Sequence, residues 1–139
     1  MKYEKYSDKL FLRLDPGDEI CEAILLVANK EGIGAASITG IGATDDFTVG
    51  VFDLNEKKYE EYRFDTNHEI NALSGNLTRK DGKPYVHLHI TCTGKNAKVV
   101  GGHLLRGVVS LTAEIIIDVA EAEINRAFNE ALGINVWNL

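Results

Sequence analysis

From Val86 to Thr93 apolar and polar residues strictly alternate: Val86, Leu88, Ile90 and Cys92 interleave with His87, His89, Thr91 and Thr93. A repeat of two is the repeat of a β-strand, whose successive side chains point to opposite faces. Asp81-Gly82 just upstream is a strong hairpin signal. The stretch Glu69–Arg79 therefore pairs antiparallel with the strand Tyr85–Thr93. This one alternation commits the middle of the chain to antiparallel sheet and decides which side chains share a face.

The face that takes Val86, Leu88, Ile90 and Cys92 belongs to the core. The other carries His87, His89 and Thr91. A third histidine, His103, follows the next turn after Gly101-Gly102. Glycines there let backbones pass close and permit a bulge that re-aims a side chain, so His103 is expected to fold back beside the pair. Three neutral imidazoles from adjacent strands suit zinc or a similar divalent ion and leave a fourth coordination position open. The plain alternative, for each ring taken singly, is a polar residue on a wet sheet face. His68, in a polar connection, reads as a surface histidine, with a fourth ligand as the alternative.

Elsewhere the pattern is mostly β. Lys9–Leu14, Ala36–Ala43, Phe47–Leu54, Lys58–Phe64, Val99–Leu105 and Val108–Val119 read as strands with short connections, which favours antiparallel pairing. One main helix is expected after Asp15-Pro16-Gly17-Asp18-Glu19, with Asp15 as cap and Pro16 at the first helical position. Ile20, Ala23, Ile24 and Val27 give it an apolar stripe, and Gly32 and Gly34 end it. In the tail, Ile124, Ala127, Phe128, Ala131 and Leu132 have helical spacing, and Ile134–Trp137 reads as a last short strand.

At 139 residues, with 45% hydrophobic and 26% charged residues, the chain is expected to form a single domain, 1–139, with a real core. No apolar run approaches a membrane span of about 18 residues, and the first residues carry no apolar signal region; the expected location is the cytoplasm, with no membrane partner. Cys21 and Cys92 in apolar contexts read as buried free thiols. The formal net charge of −6 argues against nucleic acid as a partner, because phosphate neutralisation supplies most of that affinity. The basic clusters Arg79-Lys80 with Lys83, and Lys95 with Lys98, read as solvated turns.

Three further features bear on chemistry. Thr39-Gly40-Ile41-Gly42 resembles half a dinucleotide fingerprint, but the third glycine and the following helix are missing, so the glycines serve close backbone packing. Glu114, inside an apolar strand, either faces solvent or acts as an outer partner of a ligand histidine or a general base. Arg106 either lies on the surface or holds a carboxylate substrate near the metal.

Taken in order, Ile38-Thr39-Gly40-Ile41-Gly42-Ala43, Glu69-Ile70-Asn71-Ala72-Leu73-Ser74-Gly75, His87-Leu88-His89, Gly101-Gly102-His103-Leu104 and Thr112-Ala113-Glu114 resemble the PPC domain, the plant and prokaryote conserved domain, over nearly the whole chain. The resemblance implies an α+β fold, a mostly antiparallel β-sheet packed around one main helix, assembled as a homotrimer. It implies a metal site, zinc by expectation, at His87, His89 and His103. Stand-alone prokaryotic members are often described as DNA-binding; the AT-hook arm that precedes the domain in plants has no counterpart here. A more distant likeness is to acetolactate decarboxylase, which shares the broad architecture and binds zinc through an H-x-H and a later histidine. Three readings follow: a trimeric zinc-binding module with a binding or regulatory role, a zinc-dependent lyase or hydrolase acting on a small anionic substrate at the metal, and a DNA-associated protein.

Overall fold

The computed structural model describes residues 1–139. Nine strands and one α-helix follow one another as β1 (Lys2–Tyr6), β2 (Lys9–Leu14), α1 (Ile20–Glu31), β3 (Ala36–Asp53), β4 (Lys58–Phe64), β5 (His68–Lys80), β6 (Lys83–Thr93), β7 (Val99–Val119), β8 (Arg126–Asn129) and β9 (Ile134–Trp137). Seven strands form one sheet in the order β1-β2-β7-β6-β5-β3-β4, and β7 also pairs with β3. That extra pairing closes β3, β5, β6 and β7 on themselves. Every pairing in the sheet is antiparallel.

The α+β expectation is overturned. One helix of 12 residues beside nine strands makes a mainly antiparallel β molecule, and the sheet is not wrapped around the helix: α1 lies against β6 and β7. Two causes produce the difference. The first is that polar interruptions read as turns are carried inside long strands. Ala36–Ala43 and Phe47–Leu54 merge into one strand, β3, which ends at Asp53 and is bent by register shifts between Gly42 and Asp46. The buried Thr44 hydroxyl donates to the Val108 carbonyl at 2.6 Å, so the interruption leaves no polar group unpaired. Likewise Val99–Leu105 and Val108–Val119 are one strand, β7; Gly107 N–H between them donates to Glu19 Oε1 at 2.8 Å.

The second cause is the tail. The helix expected through Ile124–Leu132 is absent; β8 and β9 form a hairpin, with Arg126 opposite Trp137 and Asn129 opposite Ile134. The apolar stripe that suggested a helix is not buried: Phe128 is 60% exposed and Leu132 49%, whereas Arg126 is only 8% exposed. Burial of the arginine, not of the stripe, fixes this segment. The short strand Ile134–Trp137 forms as read. So does the Asp81-Gly82 turn, with both residues at positive φ and Lys80 opposite Lys83.

Helix α1 begins later than expected. Its cap is Glu19, whose carboxylate accepts from Glu22 N–H at 2.7 Å, while Asp15 to Asp18 form a turn before it. Gly32 ends it at φ 64°. Ile20, Ala23, Ile24, Val27 and Ala28 are buried and join a core with Leu10, Leu14, Leu88, Ile90, Ile115 and Ile117. Strand β1, too polar to stand out in the sequence, edges the sheet against β2. Both cysteines are free as expected, but only Cys92 is fully buried; Cys21 is half-buried at the edge of the core, and burial pushes each thiol up to about 12. No helix is long and apolar enough to cross a membrane.

Candidate metal centre

Register builds the centre. His89 on β6 is the direct cross-strand partner of His103 on β7, and His87 sits two residues before His89 on the same face. Leu88, Ile90 and Cys92 on the opposite face are buried, anchoring the strand. Close backbone approach is required on both sides. A methyl at Gly75 of β5 would overlap the His87 carbonyl, and one at Gly101 of β7 would overlap the carbonyl of Ile90.

The ring centroids lie 5.3 Å apart for His87–His89, 5.0 Å for His87–His103 and 5.5 Å for His89–His103. One ligand nitrogen from each falls within 4.8 Å of the other two. His87 Nε2 and His89 Nε2 are 3.3 Å apart, close to the edge of about 3.3 Å that zinc–nitrogen bonds of about 2.05 Å give a tetrahedron. His103 Nδ1 is buried without a hydrogen-bond partner, a group whose desolvation is costly unless something binds it. Burial, then the positive Arg126 and then His89, hold His87 below the ordinary imidazole value. Burial, followed by His87 and His89, pushes His103 down to about 4. The neutral imidazole is the form that ligates metal, and this donor set fits a divalent ion.

One wall of the centre is aromatic. Tyr59 of β4 stacks on His103, centroids 4.7 Å apart and planes within 17°. Gly50, opposite His103 on β3, makes room: a Cβ there would stand 2.6 Å from Tyr59 Cδ1. Beyond the rings opens a pocket of about 240 Å³ that reaches His87, His103, Tyr59, Tyr85 and Arg126. Arg126 lies over the Tyr85 ring at 4.8 Å and donates from Nε to Thr78 Oγ1, from Nη1 to the Asn135 carbonyl and from Nη2 to Asn76 Oδ1.

The other expected candidates lie elsewhere. His68 is neither a fourth ligand nor a surface residue. It is buried at the Thr93 end of β6, edge-on to Phe47 and Phe64, with Nδ1 2.6 Å from the Thr66 carbonyl. Arg106 pairs with Asp46 at 2.6 Å, away from the pocket. Glu114 is exposed, opposite Arg13 and Ile41, and lines a separate apolar groove. Gly40 and Gly42 pack tightly on β7, against Glu114–Ile115 and Thr112–Ala113. Tyr59 and Arg126 were missed in the sequence. The aromatic alternation of Lys58–Phe64 carried a trace of the first; the helical spacing of the tail hid the second.

Residues 1–121 match the model of the Plants and Prokaryotes Conserved (PCC) domain. The chain belongs to this family. Two solved structures agree over almost the full length. One, from Bacteroides thetaiotaomicron VPI-5482 and described as a candidate DNA-binding protein, is 30% identical with a TM-score of 0.95, covering 99% of this chain and 96% of that one. The other, the metal-containing protein AF0104 from Archaeoglobus fulgidus, is 33% identical with a TM-score of 0.88 and covers 100% of both chains. Among curated relatives, the bifunctional protein GlmU of a Synechococcus strain is 31% identical over 125 residues, 88% of this chain; the match spans only 19% of that protein's length. A Staphylococcus aureus protein described as similar to alpha-acetolactate decarboxylase shares the fold alone, at 15% identity and a TM-score of 0.59, over 90% of this chain and 56% of that one.

Proposed function

We propose that this PCC-family chain, as one domain of residues 1–139, is a cytoplasmic metal-binding protein that holds zinc through His87, His89 and His103 and serves a binding or regulatory role. The observation that carries the reading is the convergence of one nitrogen from each ring to within 4.8 Å of the others, from two adjacent strands whose register leaves little freedom. A related protein from Archaeoglobus fulgidus is described as metal-containing, which supports it. The homotrimer expected from the family resemblance is supported by an apolar groove at the surface, where Phe11, Ile41 and Ile116 are exposed together.

A zinc-dependent lyase or hydrolase acting on a small anion is the second reading. The pocket opening beside His87 and His103 favours it. DNA association, the description given to the Bacteroides relative, is less well supported. The chain carries a net charge of −6, and Arg79 and Lys80 of its main basic cluster already bond Ile33, Gly82 and Asp81.

Elemental analysis of tag-free protein tests the metal reading. One zinc per chain is expected, falling to background in His89→Ala and His103→Ala variants that remain folded by circular dichroism. Equal metal content in wild type and variants would sink it.

A further inference from the structure

The pocket beside the histidines is lined by no aspartate or glutamate, in a chain that has 21 acidic residues. It does hold cations. Arg126 is buried, yet all three of its hydrogen bonds go to neutral groups: a hydroxyl, a carbonyl and an amide. Lys57 at the rim donates to the Glu130 carbonyl and forms no ion pair. A buried guanidinium without a counter-charge is costly, and the Tyr85 ring beneath it offsets only part of that. A divalent ion at the neighbouring histidines would add two further positive charges with neutral ligands. Lys58, also in the lining, pairs with Glu56 at 3.4 Å, but no ion pair compensates Arg126, and the lining has no acidic residue to compensate a bound ion.

The geometry of Arg126 narrows what completes it. A guanidinium carries five N–H donors. Nε spends its one on Thr78, and Nη1 and Nη2 each spend one on Asn135 and Asn76. One N–H remains on each terminal nitrogen, the number that the two oxygens of a carboxylate accept. At about 240 Å³, against the ~150 Å³ that holds a six-membered hydrocarbon ring, the pocket takes a molecule of about ten non-hydrogen atoms.

We propose that Arg126 is the binding residue for a small carboxylate, seated between its guanidinium and the metal at His87 and His103, with Phe128 and Ile134 covering the rest of the molecule. This rests on the metal reading above and goes further by naming the ligand class and its anchor. Arg126 lies beyond the residues 1–121 that match the family model, on the hairpin that brings it into the pocket.

The test is calorimetric titration of the zinc-loaded full chain with glycolate, a small 2-hydroxy carboxylate, in wild type, Arg126→Gln, Phe128→Glu and Phe128→Gln. Glycolate is expected to bind wild type and to weaken by roughly tenfold to a hundredfold in Arg126→Gln, the range of a charge-assisted hydrogen bond; Phe128→Gln, which removes the covering ring without adding charge, is the baseline against which Phe128→Glu is read. Phe128→Glu, at an exposed position that the fold tolerates, places a tethered carboxylate beside Arg126 and is expected to weaken glycolate equally; it decides the matter if Arg126→Gln does not fold. Undiminished binding in both charged-site variants overturns the proposal while leaving the metal reading intact. Tighter binding of inorganic phosphate than of glycolate, lost in the same variants, overturns the carboxylate assignment. A wild-type chain that takes up no zinc overturns both.

Discussion

Gly50 and Asp46 show how single positions hold the centre in place. Gly50→Ala puts a methyl 2.6 Å from Tyr59 Cδ1 and 3.1 Å from its Cβ, so the ring must leave its stack on His103. We expect a loss of about 1–3 kcal/mol in urea unfolding together with weaker zinc retention; an unchanged midpoint would show that the stack is incidental. Asp46, ion-paired with Arg106 and Arg63, is held below its ordinary value of 3.8, chiefly by the Arg106 hydrogen bond. A carboxyl depressed in the folded state adds stability that is complete above the ordinary value and lost as pH falls through the lowered one. The stability difference between wild type and Asp46→Asn should therefore shrink on acidification below that value. The pair is solvent-exposed, so the difference is small and salt-sensitive. A gap that stays constant from neutral pH into acid would contradict this.

At the scale of elements, Glu19 couples the one helix to the longest strand. One carboxylate oxygen caps α1 at Glu22 N–H and the other accepts from Gly107 N–H in the middle of β7. Glu19→Ala removes both and leaves a part-buried amide unpaired, which should cost about 1–2 kcal/mol. Chemical denaturation measures it, and Glu19→Gln, whose amide keeps one acceptor oxygen in place of two, should recover about one of the two hydrogen bonds; equal losses for the two variants would mean that charge at the dipole end, not hydrogen bonding, is what counts. The β8–β9 hairpin is held differently. Arg126 ties it to β5 through Thr78 and Asn76, and a parallel bridge joins Arg79 to Asn125.

For the whole molecule, the closed ring of β3, β5, β6 and β7 gives the histidines a rigid seat, since all three stand on two members of that ring. Beside that ring, Phe11 of β2, Ile41 of β3 and Ile116 of β7 line one exposed groove. If this is the face on which copies of the chain meet, Ile41→Asp should convert a trimer to monomers in light scattering while leaving the circular dichroism spectrum intact. A wild-type monomer, or a trimer indifferent to the aspartate, would remove that role from the groove.

Local pattern alone reveals the strand identity of Tyr85–Thr93, the Asp81-Gly82 turn, the buried face of α1 and the placement of His87 with His89 on one side. Each of these follows from periodicity or from a φ requirement, which are local. Tertiary structure decided the rest. Whether Asp45 and Asp46 end a strand or bend one depends on partners supplied by β4 and β7. Whether the tail coils or pairs depends on Thr78 and Asn76, some fifty residues back in the chain, where Arg126 finds its hydrogen bonds. Burying a cation is possible only where such distant acceptors already stand, and no local pattern records them.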